Sequence, residues 1–174
     1  KAVGMGGIAG IGRFDASPVD REALRRMGRA LAQRGPDGDG DAVEGPVGMA
    51  HRRLAIIDMV TGQQPMYSGQ SLIVFNGEIY NYVELRNELI ARGRVFRTTS
   101  DTEVILQMYE EYGTDCVRRL NGMFAFVLYD RARGIALAAR DHFGIKPLYF
   151  HESAQRVLFA SEIKALLTQP GVRA

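Results

Sequence analysis

The 174 residues predict an α+β fold in which antiparallel sheets are covered by helices. Three observations carry that expectation. Stretches with strand character outnumber helical ones, and the tail of the chain is arranged as successive hairpins. The helices fall into two groups, instead of alternating with strands as a parallel α/β sheet would require. An apolar share of 46% suits an ordinary globular core, and the length suits one domain. No repeat or low-complexity linker divides the chain.

In order, Ile8 to Phe14 predicts a buried strand. Ser17-Pro18 predicts an N-cap and a first-turn proline. Val19, Ala23, Leu24, Met27, Ala30 and Leu31 then repeat at helical spacing, and Gly35 stops that helix. Residues 35–45, GPDGDGDAVEG, predict a loop. Its Asp37, Asp39 and Asp41 alternate as in a calcium loop. The sixth and twelfth positions hold Ala42 and Gly48 instead of Gly and Glu, so no metal site is expected.

Val47 to Asp58 and Leu72 to Ile79 predict extended stretches. Tyr82 to Arg92 predicts an amphipathic helix ended by Gly93, and Val95 to Arg97 a short strand. Asp101 to Tyr112 predicts a helix capped by Ser100. Thr114 to Leu120 is a short helical stretch in which Cys116 is expected as a buried structural thiol. Met123 to Asp130 with Gly134 to Arg140 predicts one hairpin, and Pro147 to His151 with Val157 to Ala160 another. Ser161 to Leu167 predicts a closing helix.

Composition narrows the function. A formal charge of +2 with Lys and Arg scattered gives no basic patch, so neither nucleic acid nor an anionic membrane is an expected partner. One cysteine excludes an internal disulfide framework and fits a reducing compartment. No apolar run reaches the length of a membrane span and no basic, apolar leader is visible, so a cytoplasmic location is expected. The chain begins at Lys1, and residues 1–5 are expected to be an extension ahead of a domain covering 6–174.

Residues 4–12, GMGGIAGIG, match a dinucleotide-binding pattern at Gly4, Gly6 and Ala9. That pattern needs a strand before it and a helix after it. Here only three residues precede it and a strand comes after, so a phosphate cradle is not expected.

Three polar clusters interrupt otherwise apolar stretches: His51-Arg52-Arg53-Leu54, Asn76-Gly77-Glu78-Ile79-Tyr80-Asn81, and Ser100-Asp101-Thr102-Glu103. Each has an ordinary explanation. The arginines suit a strand edge, Asn-Gly a hairpin turn, and Ser-x-x-Glu a capping box. Together they suit an α-amino acid ligand. Arg53 can grip a carboxylate bidentately, Asp101 with Glu78 can hold an ammonium, and Asn76 with Gly77 can donate to a developing oxyanion.

These motifs, with Gly7-Ile8-Ala9-Gly10, Arg34-Gly35-Pro36-Asp37, Gln64-Pro65, Asn121-Gly122-Met123-Phe124, Arg140-Asp141, Phe143-Gly144, Lys146-Pro147-Leu148-Tyr149 and Ser161-Glu162-Ile163-Lys164, carry a resemblance. The chain resembles the class II glutamine amidotransferase domain that forms the N-terminal half of glutamine-hydrolysing asparagine synthetases. The resemblance implies a four-layer αββα sandwich of antiparallel sheets, of the N-terminal-nucleophile hydrolase type. It implies L-glutamine as ligand, its carboxylate on Arg53 and its ammonium on Asp101 and Glu78. Asn76 and Gly77 would form the oxyanion hole, and backbone around Leu54 and Ile57 would line the pocket. No cofactor or metal is implied in this domain. ATP and Mg²⁺ would belong to an attached C-terminal synthetase domain, which with a homodimer completes the expected partners.

The chain departs from the pattern at one position. In the family an N-terminal Cys attacks the amide carbon while its own α-amine serves as base. Here Gly6 stands at that position, and Met5 precedes it, so its nitrogen is a peptide amide. The chain is therefore expected to bind glutamine without hydrolysing it. The alternative is a catalytically retired structural domain, similar to that of the β-lactam synthetase branch. A phosphoribosyl-type amidotransferase ranks below both.

Overall fold

Period-two alternation of apolar residues folds most of this chain into two antiparallel sheets. A computed structural model describes residues 6–53 and 62–173. The first sheet runs in the order β2 (Gly38–Glu44), β3 (Val47–Arg53), β1 (Gly7–Arg13), β9 (Arg156–Ala160), β8 (Tyr149–Glu152). The second runs β4 (Met66–Ser68), β5 (Ser71–Ile79), β6 (Gly122–Asp130), β7 (Ile135–Arg140). Four α-helices, α1 (Arg21–Ala30), α2 (Tyr82–Ala91), α3 (Asp101–Tyr112) and α4 (Ile163–Leu166), and two 3-10 helices, Ala32–Arg34 and Gly113–Arg119, complete the described chain.

Three apolar clusters define the layers. Ile8, Met49 and Phe159 of the first sheet meet Leu72, Val74, Ala125 and Val127 of the second in the layer between the sheets. The alternate residues of the same strands point outward. Ala9 and Ile11 pack with Leu24 and Met27 of α1 and with Ala165 and Leu166 of α4. Ile73, Phe75 and Phe126 pack with Leu85 and Leu89 of α2 and with Val104, Ile105 and Met108 of α3. The result is the expected αββα sandwich. Strand register fixes which residues share a layer, because a one-residue slip would exchange the two faces.

Several local expectations are corrected. Residues 38–44 form β2, not a loop, paired along their whole length with β3. Their glycines and aspartates have low strand propensity, but pairing overrides it. Asp41 faces Arg21 and Arg25 of α1, and Asp39 lies 3.7 Å from Arg52. The N-cap of α1 is Asp20, whose carboxylate accepts from the Glu22 amide at 2.9 Å. Ser17 bonds to Asp15 instead. Residues 95–97 form no strand, and β4 is a strand that the sequence pattern does not announce. Glu103 does not close a capping box on Ser100. It accepts from the Arg97 and Thr98 amides and the Thr98 hydroxyl, pinning the segment ahead of α3. Cys116 is buried as expected, and burial pushes its thiol up to about 12.

Candidate functional site

The layer between the sheets changes character along its strands. On β1 the inward residue goes from Ile8 to Gly6 just before the strand; on β3 it goes from Met49 to His51 and then Arg53. On β5 it goes from Leu72 and Val74 to Asn76 and then Glu78. Alternation sends all of these side chains to the same side as the apolar core residues behind them. One end of the sandwich is therefore apolar and the other polar. The three clusters singled out in the sequence meet at the polar end.

The expected nucleophile position lies beside the expected oxyanion residue. A Cβ built on Gly6 would stand 3.3 Å from Asn76 Oδ1, 3.1 Å from the Arg52 carbonyl oxygen and 3.7 Å from His51 Nε2. Asn76 is 4% exposed, and its Nδ2 is buried without a hydrogen-bond partner among the described residues. A buried amide donor left unpaired costs free energy, about 1–3 kcal/mol, unless something fills it. The Gly6 carbonyl is fixed from the other side, accepting from Arg34 Nε at 3.0 Å, while Arg34 Nη1 bonds to Glu162 at 2.8 Å.

Gly77 is held where no other residue fits. Its φ is 154°, and an added Cβ would lie 2.1 Å from the Met123 carbonyl oxygen. Across the same pair of strands a Cβ on Gly122 would lie 2.1 Å from the Glu78 carbonyl oxygen. Asn76-Gly77 is thus no hairpin turn but the middle of a long, close strand pairing, with Gly77 opposite Phe124. Gln64 adds a further clamp, its Oε1 accepting from the Phe75 amide at 2.6 Å.

Asp101 opens α3 and is buried, with Oδ2 accepting from the Ile79 amide at 3.1 Å. Burial pushes its carboxyl up to about 6, against the backbone hydrogen bonds it accepts, and the neighbouring Glu78 carboxylate adds to the rise. Two carboxylates crowded in a buried site favour a cation between them. Lys146 is also buried; burial lowers its pKa while Glu78 opposes that shift. His51 is held down to about 4, by burial first, with the Phe75 backbone opposing the shift and the Arg53 charge adding to it. It is neutral at ordinary pH. Arg53 and His51 both line a cleft of about 60 Å³ with Asp37, Gly38, Asp39 and Gln64.

The structure thus gathers Gly6 with Asn76, Glu78 with Asp101, and Arg53 with His51, around one end of the sandwich. Leu54 and Ile57 lie outside the described residues. His51 and Arg34 stand in motifs that assign them no contact with residue 6: the pairing of β1 with β3 brings His51 there, and Arg34 reaches the Gly6 carbonyl from the turn after α1. Among the described residues no group of three or more His, Cys, Asp or Glu could hold a metal ion. No helix among them is long and apolar enough to cross a membrane.

The chain matches known proteins at the level of family and fold. Residues 5–174 match the family described as "Glutamine amidotransferase domain". The chain is 44% identical over 175 residues to asparagine synthetase [glutamine-hydrolyzing] 3 of Bacillus subtilis (strain 168), covering 98% of this chain and 28% of that protein. It is 44% identical over 162 residues to asparagine synthetase [glutamine-hydrolyzing] 2 of Oryza sativa subsp. japonica, covering 91% of this chain and 27% of that protein. The chain thus spans little more than a quarter of the length of these relatives. Among solved structures, glutamine phosphoribosylpyrophosphate amidotransferase from B. subtilis superposes with a TM-score of 0.76 at 22% identity. That match covers 93% of this chain and 43% of the other, and it shows the shared N-terminal-nucleophile fold. Fold and family match agree: this chain belongs to the glutamine amidotransferase domain family.

Proposed function

We propose that residues 6–174 are the glutamine-binding half of a glutamine-hydrolysing asparagine synthetase, in a form that binds L-glutamine but does not hydrolyse it. The observation that carries this reading is the buried Asn76 Nδ2, without a partner among the described residues, beside a residue 6 that has no side chain. Arg53 takes the glutamine carboxylate, and Asp101 with Glu78 takes its ammonium. Asn76 Nδ2 and the Gly77 amide face the side-chain carbonyl oxygen, and backbone around Leu54 and Ile57 lines the pocket. The proposed partner is an attached C-terminal synthetase domain that would use ATP and Mg²⁺ and take up ammonia.

Hydrolysis fails for two reasons. Gly6 offers no nucleophile, and the nitrogen of residue 6 is a peptide amide with Met5 ahead of it, so it cannot act as base. Losing a nucleophile from a comparable acyl-transfer site costs about six orders of magnitude in kcat. Calorimetric titration should show binding of L-glutamine, and a glutaminase assay should show no glutamate above background. Gly6→Cys, cleaved so that residue 6 becomes the N-terminus, should restore release of glutamate. Substantial hydrolysis by the unaltered chain overturns the inactivity. Absence of glutamine binding overturns the pocket and favours a retired structural domain.

A further inference from the structure

The end of the first sheet away from residue 6 carries a cluster of basic side chains. Gly6 lies just ahead of β1, and Arg13 closes that strand at its other end. The register sets Arg13 directly opposite Arg156 of β9, and His151 of β8 opposite Leu158. Leu158 packs with Ala9, Ile11 and Leu166 on the helix-covered face of the sheet. Alternation places Arg13, Arg156 and His151 on that same face, whereas Glu152, opposite Val157, takes the other.

Like charges directly opposite one another on neighbouring strands repel. Only part of this charge is answered. Asp15 accepts from Arg13 Nε at 3.0 Å and from Nη2 at 2.6 Å, which leaves Nη1 outside the fork. Arg156 donates to the neutral Pro170 carbonyl, and no carboxylate among the described residues forms an ion pair with it. His151 Nδ1 is buried without a hydrogen-bond partner among the described residues. All three side chains line one cleft of about 370 Å³, together with Ser153, Gln155 and the 170–171 turn. That volume falls in the usual range of small-ligand sites, about 300–1,000 Å³.

The lining selects the ligand by its chemistry. A carboxylate is satisfied by one guanidinium side on, whereas a tetrahedral phosphate offers separate oxygens to donors on three strands. The lining has no Phe, Tyr or Trp on which a nucleobase could stack, while Ser153 and Gln155 suit hydroxyl groups.

The geometry points to a phosphate site in the Arg13–Arg156–His151 cleft, taking inorganic phosphate or the phosphate of a sugar monoester. The site stands apart from the glutamine pocket and does not depend on the function proposed above. A bound dianion neutralises the facing arginines and ties β1, β9 and β8 together at this end of the sheet.

The test is calorimetric titration of the 174-residue chain with inorganic phosphate, with glucose 6-phosphate and with glucose, at low ionic strength. The two phosphates should bind saturably, with a dissociation constant of about 1 mM or lower, and glucose should not bind. Tighter binding of glucose 6-phosphate assigns the site to a sugar phosphate, and equal affinity assigns it to the free anion. Amide shifts in solution NMR of the unaltered chain should gather at residues 13 and 151–156. Arg13→Gln and Arg156→Gln should each weaken phosphate binding about tenfold or more. Arg118→Gln, at an exposed site after α3, should leave it unchanged. Without ligand, the melting temperature of Arg156→Gln should hold or rise, since one of two facing like charges is gone. Absence of saturable phosphate binding overturns the proposal, as do amide shifts centred elsewhere. An equal loss with Arg118→Gln also overturns it, because net charge alone would then explain the binding.

Discussion

Between the same two sheets, one end of the layer holds Met49, Leu72, Val74, Val127 and Phe159, and the other holds His51, Arg53, Asn76 and Glu78. Both ends obey the same alternation on the same strands, so backbone geometry does not distinguish them. The apolar end gains free energy from leaving water. The polar end pays for burial, which is visible as a carboxyl raised to about 6 at Asp101, an imidazole lowered to about 4 at His51 and an amide donor at Asn76 with no partner among the described residues. The contrast teaches that one end holds the sheets together while the other buries polar groups at a cost, as the proposed glutamine site would require.

The largest expected effect tests the apolar end. Leu72 is fully buried, and Leu72→Ala should cost about 3 kcal/mol, the middle of the usual range for such a cavity. The thermal midpoint should fall by roughly 6–12 °C for a domain of this size. Glutamine affinity of the folded protein should be unaltered at low temperature; a parallel loss would erase the division between the two ends.

At the polar end, Arg53→Gln should weaken glutamine binding by about 2–3 kcal/mol, roughly 30–150-fold, with a far smaller change in thermal midpoint than Leu72→Ala. Titration calorimetry beside a melting curve reads both. A thermal loss as large as that of Leu72→Ala would make Arg53 part of the scaffold.

Asp101→Asn is the subtler probe. An amide oxygen can still accept from Ile79, but the charge beside Glu78 disappears. Glutamine affinity should drop about tenfold, the loss expected of one charge-assisted contact, while the melting temperature holds or rises slightly. A clear fall in melting temperature would show that the ionised carboxylate is needed for the fold.

The smallest effect is a slope. His51 titrates at about 4 when folded against a usual value of 6.5, so its contribution is present above about 6.5 and is lost as pH falls toward 4. Asp101 acts oppositely. Its raised value means that the folded state takes up the proton first, so its contribution grows as pH falls from about 6 toward 4. The two oppose one another in nearly the same window. Asp101→Asn should expose the His51 slope, giving a steeper loss of thermal midpoint on acidification than the unaltered chain. Identical slopes would mean that one of the two groups does not titrate as its burial requires.

Much of this is legible in the sequence, for identifiable reasons. The helix Asp101–Tyr112 and its Ser100 cap are local features, and the structure reproduces both. The hairpin of β6 and β7 shows in its alternation, and the site clusters show because polar residues interrupt apolar strands. The hidden part is non-local. β2 is invisible because its glycines and aspartates form a strand only against β3. His51 carries no sign that its ring lies beside residue 6, since 45 positions separate them and only the pairing of Ile8 with His51 brings them together. Glu103 fits the capping-box pattern, yet its carboxylate serves Arg97 and Thr98 instead.

The two close-packed glycines of the β5–β6 pairing, Gly77 and Gly122, have one further consequence. A methyl group on Gly77 would strike the backbone of Met123, and one on Gly122 would strike the backbone of Glu78. In both cases the obstacle is main chain, which every amino acid shares. A clash between side chains can be relieved by shrinking the neighbour, but here no substitution at Met123 or Glu78 removes the oxygen that stands in the way. The two positions have no second-site suppressor among side chains, and libraries that vary this seam should return glycine at both.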